Sequence, residues 1–151
     1  MSHVTDVKLK IRDLDALEEA AALCGLVLSR DQKTYAWYGR FVGDSNDFGS
    51  FDPKTFGRSE HALRRADHKP GDYEIGVVKA KDGEGFEILY DKWGPGARLT
   101  ALVEENANKL RREYAAAVAL RNARKTVGRK GFVATREDLA GGRIRVVLRK
   151  R

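Results

Sequence analysis

Hydrophobic and polar positions alternate along residues 4–12: Val7, Leu9 and Ile11 fall on one side, and Asp6, Lys8, Lys10 and Arg12 on the other. Successive side chains of a strand point to opposite faces, so this run predicts a half-buried strand. The spacing then lengthens to three or four. Leu14, Leu17, Ala21 and Leu23 form a helical stripe, with Asp13 or Asp15 available to cap its start and Gly25 to stop it. "LVLS" and "KTYAWY", on either side of the polar "RDQK", predict two further strands.

From Gly39 to about Gly71 the periodicity fades. "GRFVGDSNDFGSFDPKTFG" mixes glycine, proline and scattered aromatics and predicts a long irregular loop, within which "SEHALRRAD" can add a short helix. Alternation returns in "YEIGVVKAKDGEGFEILYDKW". Tyr73, Ile75 and Val77 share one face, Phe86, Ile88 and Tyr90 repeat it, and Asp82-Gly83 between them marks a hairpin. After Gly94-Pro95-Gly96 the longest apolar stripe runs through Leu99, Leu102, Val103, Leu110, Tyr114, Ala117 and Val118. It predicts one helix over about 97–126, ended by Gly128 and Gly131. "GFVAT" and "RIRVVLR" then predict a closing hairpin around "REDLAGG".

Strands joined mostly by hairpins, with two helices, define an α+β class: a two-layer sandwich of a mostly antiparallel sheet with two helices on one face. A ferredoxin-like arrangement is one form of it. The expected organisation is a single domain over 1–151, with the irregular loop at about 39–71 and a basic carboxy-terminal helix and hairpin at about 97–151.

Three stretches carry a resemblance to a known family. The opening "MSHVTDVKLKIRDLDAL", the strand–turn–strand "YEIGVVKAKDGEGFEILYDKW" and the closing "GGRIRVVLRKR" resemble the hypothetical chloroplast reading frame thirty-five family. This is a domain of unknown function found in cyanobacteria, plastids, other bacteria and phages. The resemblance covers roughly the first 17 residues and much of the second half. It implies a soluble protein of one domain and brings no agreed catalytic residue. Genes of the family often neighbour one for an AAA-type ATPase, which implies an accessory or adaptor role.

Charge changes the picture most. The net charge is +7, but residues 1–108 hold 15 Lys and Arg against 19 Asp and Glu, and residues 109–151 hold 14 against 3. Such asymmetry points to a polyanionic partner. The candidate binding residues are Lys109, Arg112, Arg121, Arg124 and Lys125 on the long helix, and Arg129 and Lys130 just after it. Arg143, Arg145, Arg149 and Arg151 follow on or beyond the last strand, with Arg111 and Lys150 nearby. In the final run Ile144, Val146 and Leu148 would turn inward and Arg143, Arg145, Val147 and Arg149 outward. A helix dipole favours cations at a helix C-terminus but does not explain arginines on a strand. The leading expectation is nucleic acid or another polyanion, bound without strong sequence preference. The alternative is an acidic protein partner, with this chain as adaptor, for an AAA-type ATPase or a host complex. Exposed aromatics among Tyr35, Trp37 and Tyr38 could stack bases, although such residues more often fill a core.

Other chemistry has little support. Cys24 is the only cysteine, so neither a disulfide nor a cysteine zinc site can form within the chain, which fits a reducing compartment. The N-terminus lacks the apolar segment of a signal peptide and no window is apolar enough to span a bilayer, so the expected location is cytoplasmic. His61 and His68, with Glu60 and Asp67 beside them, match no metalloprotease motif, and Ser2 and His3 lack an identified acid. "DSNDFG" (Asp44–Gly49) echoes a calcium loop but fails at Phe48 and Thr55. "GPGARL" lacks the Lys-Ser/Thr of a phosphate loop and reads as helix initiation. No enzymatic activity, metal or cofactor is expected; a site in the glycine-rich loop with His61, Asp67 and His68 is the enzymatic alternative.

Overall fold

The computed structural model describes residues 4–41 and 51–151, apart from the side chains of Thr5, Lys8 and Arg129. Ser2, His3 and the Asp44–Gly49 stretch lie outside the described residues. The chain runs as strand β1 (Val4–Ile11), helix α1 (Leu14–Leu23) and strands β2 (Leu26–Ser29), β3 (His61–Arg65), β4 (Ile75–Lys79) and β5 (Phe86–Asp91). Helices α2 (Gly96–Val103) and α3 (Asn108–Val127) and strands β6 (Phe132–Asp138) and β7 (Ile144–Lys150) complete it. This is the expected α+β class. The strands form a five-stranded antiparallel sheet in the order β1-β5-β4-β3-β2 and a separate hairpin, β6–β7. The order is a meander from β2 to β5 closed by β1, not the split βαβ pairing of a ferredoxin-like sheet.

One face of the sheet carries the helices. Val7, Ile11, Leu63, Ile75, Val77, Ile88 and Tyr90 pack there against Leu17 and Ala21 of α1, Leu99 and Val103 of α2, and Leu110, Tyr114 and Ala117 of α3. The alternation in β1, β4 and β5 thus points the predicted residues into this core. The α1 helix starts where the sequence places it: Asp13 Oδ1 accepts the Ala16 amide at 3.0 Å, satisfying one of the free N–H groups of the first turn. The Tyr114 hydroxyl accepts the amides of Arg12 (2.9 Å) and Asp13 (3.2 Å), tying α3 to that same start. Cys24 is packed in this core, and burial pushes its thiol up to about 11.

The opposite face is covered by irregular chain. Tyr35, Phe51 and Phe56, with Trp37 and Phe41, pack on Val4, Ala62, Val78 and Leu89. Here the structure corrects two expectations. "KTYAWY" forms no strand; it makes one isolated bridge, Thr34 to Arg58, while the Ala36 amide donates to the buried Glu74 carboxylate. Two of its three aromatic residues, Tyr35 and Trp37, roof the sheet. And "SEHALRRAD" is not a helix: His61–Arg65 is β3, an interior strand between β2 and β4. Ala62 and Leu63 are both buried, one on each face, so period-two alternation is lost, while Ala, Leu and Arg are good helix formers.

The predicted helix over 97–126 is also broken. Between α2 and α3, Glu104 (φ 70°), Asn106 (φ 55°) and Ala107 (φ 52°) all take positive φ, which no continuing right-handed helix can accommodate. The break re-aims the chain so that Ala107 and Leu110 enter the same core as Leu99 and Val103 of α2. No described helix is long and apolar enough to cross a membrane.

Candidate nucleic-acid interface

The basic end of the chain is built from α3 and the β6–β7 hairpin. The hairpin register pairs Phe132 with Lys150, Ala134 with Leu148, Arg136 with Val146 and Asp138 with Ile144 on one face; Val133 with Arg149, Thr135 with Val147 and Glu137 with Arg145 lie on the other. The first face leans on α3. Ala134 is buried there, and Arg136 donates to both carboxylate oxygens of Glu113 on α3, at 3.0 Å for the Nη2–Oε1 bond, and to Asp138. The predicted inward set Ile144, Val146 and Leu148 is therefore on the helix side, as the alternation implies. It is covered only in part: Leu148 is 48% exposed.

The second face looks to solvent. Arg145 and Arg149 stand on it, both beside Glu137, whose carboxyl is held below its usual range chiefly by the Arg145 hydrogen bond. Thr135 and Val133 are exposed between them. At the hairpin tip Gly141 and Gly142 take positive φ, exposed Arg143 directs Nε at the Ala140 carbonyl (3.4 Å), and Gly142 approaches the guanidinium of Arg112.

The predicted cations fall into two groups. Arg112 pairs with Glu104 through two hydrogen bonds of 3.2 Å, bracing the α2–α3 break. Arg121 faces α1 and donates to Asp13, Asp15 and Glu19 at 3.2–3.3 Å. The Asp13 carboxyl is held below its usual value, first by the Ala16 amide and, against the effect of burial, by Arg121. With Arg145 and Arg149 on Glu137, these arginines are structural as much as they are available. Arg121, Arg124 and Lys125 therefore do not act as one patch, because Arg121 is turned onto α1.

The second group has no carboxylate partner among the described residues: Lys109 and Arg111 early in α3, Arg124 and Lys125 in its last turn, Lys130, Arg143, Lys150 and Arg151. Five of these converge where α3 ends and the hairpin begins. Lys130 precedes β6, Lys150 pairs with Phe132, and the Arg151 amide donates to the Gly131 carbonyl at 2.8 Å. The side chain of Arg129 lies outside the described ones. What sequence reasoning missed is the set of neutralising carboxylates: Glu104 for Arg112, Asp13, Asp15 and Glu19 for Arg121, Glu113 for Arg136, and Glu137 for Arg145 and Arg149. The expected loop "REDLAGG" includes Glu137, but β6 runs on to Asp138 and sets Glu137 opposite Arg145.

The alternative enzymatic site does not assemble. His61 is buried on β3 with Nδ1 accepting the Asp31 amide at 2.9 Å and its ring edge-on to Phe86. Asp67 pairs with Arg65, and His68 lies in the turn beyond the other end of the strand. No group of three or more His, Cys, Asp or Glu residues placed to hold a metal occurs among the described residues. Tyr35 is buried and Trp37 packs edge-on to Phe56, so of the three candidate stacking residues Tyr38 alone is exposed.

Compared with models of known protein families, with curated proteins and with solved structures, the chain matches none.

Proposed function

We propose that this chain is a non-enzymatic binding protein that engages nucleic acid or another polyanion through the junction of α3 and the β6–β7 hairpin, without strong sequence preference. The observation that carries the reading is the convergence of Arg124, Lys125, Lys130, Lys150 and Arg151, none paired with a carboxylate among the described residues. Like charges gathered at one place repel, so such a group is costly to hold unless an anion relieves it. Arginine adds the planar fork that suits phosphate oxygens.

The test is fluorescence anisotropy with labelled duplex DNA, single-stranded DNA and RNA at two salt concentrations, beside the Arg124→Ala/Lys125→Ala/Lys130→Ala/Arg151→Ala variant. If all five residues meet phosphates on a duplex, affinity falls with roughly the fourth to fifth power of salt concentration, and the variant has a much shallower slope. Absence of binding at low salt overturns the reading.

A second reading rests on a different observation. Val133 is 40% exposed on the outer face beside Arg145 and Arg149, a mixed apolar and basic surface that also suits an acidic protein. On that reading the chain is an adaptor, for an AAA-type ATPase or a host complex. It predicts a salt-sensitive pull-down partner free of nucleic acid.

A further inference from the structure

We infer that the outer face of the β6–β7 hairpin is a ribbon that enters the major groove of B-form duplex DNA. This rests on the polyanion reading above and deepens it by naming the ligand and the way it is engaged.

The hairpin stands apart. No residue of it belongs to either apolar cluster of the main body, and it is joined to that body chiefly through α3. Its two strands of seven residues make a ribbon about 24 Å long. A major groove about 12 Å wide admits one two-stranded ribbon.

The chemistry is divided between the face and its ends. On the outer face the charges are already balanced in part, because Arg145 and Arg149 share Glu137, and Thr135, Val133 and Val147 lie among them. These are groups that suit base edges: guanidinium for guanine, a hydroxyl for several edges, a branched apolar group for the thymine methyl, a carboxylate for the cytosine amine. The cations without carboxylate partners flank the face instead. Lys130, Lys150 and Arg151, with Arg124 and Lys125, lie at the base, and Arg143 lies at the tip. Phosphate contacts that fix position and groove contacts that read edges are separated in the same way in protein–DNA interfaces generally.

Two other nucleic acids fit less well. A single strand is held by stacking on aromatic rings, and the outer face has none, since Phe132, the hairpin's one aromatic residue, is on the face turned toward α3. The major groove of an RNA duplex is too deep and narrow for side chains to read.

The experiment compares the wild-type chain on three labelled duplexes of one length: plain DNA, the same DNA with glucosylated 5-hydroxymethylcytosine, and RNA. The glucose fills the major groove and leaves the phosphates unchanged. The expected result is at least about a tenfold loss of affinity on the glucosylated DNA and on the RNA. Equal affinity for plain and glucosylated DNA, or for plain DNA and duplex RNA, overturns groove entry while leaving polyanion binding intact. No binding to any nucleic acid at low salt overturns both.

Discussion

The five-stranded sheet and the β6–β7 hairpin are written in the same code of alternating apolar and polar residues, yet they bury it differently. In the sheet Ile75, Val77 and Ile88 are completely buried, with helices on their side and an aromatic roof on the other. In the hairpin Ile144 and Val146 are only half-buried and Leu148 is half in water. The difference is the cover. Three helices share one side of the sheet, whereas α3 alone lies beneath the hairpin. Alternation specifies which face a residue takes; the number of elements packed above it decides how much stability that face contributes.

The contrast can be broken most severely from the sheet side. A β-carbon at Gly96 would sit 1.7 Å from the Asp91 carbonyl oxygen at the end of β5, so Gly96→Ala should cost about 3 kcal/mol or more and leave little folded protein at physiological temperature. Leu110→Ala, at a fully buried position, should cost about 2–5 kcal/mol in urea denaturation. Both losses should appear in every probe of the fold at once.

Glu113→Ala should sharpen the contrast. It removes the carboxylate that fixes Arg136 to α3, at a site where the Glu113 side chain is only 11% exposed. A cost of about 1–2 kcal/mol is expected. Hydrogen exchange should accelerate across β6 and β7 while β3, β4 and β5 keep their protection. Uniform acceleration through the sheet would mean that the hairpin is part of the main cooperative unit.

Acid should also act on the sheet. Burial holds the His61 imidazole below the ordinary histidine value of about 6.5, and Nδ1 can accept the Asp31 amide only while unprotonated. As pH falls, the unfolded chain takes up this proton before the folded one. The stabilising contribution is thus full above the ordinary value, declines as pH drops through it, and stops changing below the folded value. A comparison of urea midpoints at about pH 7.5 and about pH 5.5 should show the decline, and His61→Gln should remove that step. The smallest expected effect is Leu148→Ala, at about 1 kcal/mol or less, because half of the side chain is already in water.

How far all this could be read from the residues follows from the same contrast. The strand β1 was legible because it opposes an apolar to a polar set, β4 and β5 because β-branched and aromatic residues flank the Asp82-Gly83 turn, and α1 because Asp13 and Gly25 punctuate it. The strand β3 is interior and buried on both faces like β4, but it was illegible because Ala62, Leu63, Arg64 and Arg65 are good helix formers with no turn signal to mark a hairpin. The α2–α3 break was illegible because "EENAN" contains no glycine or proline, and Asn106 alone is at ease with positive φ. Of the basic site, the sequence located the cations but not their partners. Arg121 looked equivalent to Arg124 and Lys125 on the helix, yet it faces three carboxylates of α1 that lie far away along the chain.

The closure of the sheet by β1 has a consequence in time. Val4 pairs with Asp91 and Val7 with Ile88, so β1, made before the other strands of this sheet, has no strand partner until β2, β3, β4 and β5 have all been made. The meander from β2 to β5 can assemble from neighbours in order, but β1 must wait through that whole interval with its apolar side uncovered, and the large loop it closes makes docking slow. A pause in translation before residue 91 would therefore lengthen the period in which this chain is open to aggregation or to capture by a chaperone.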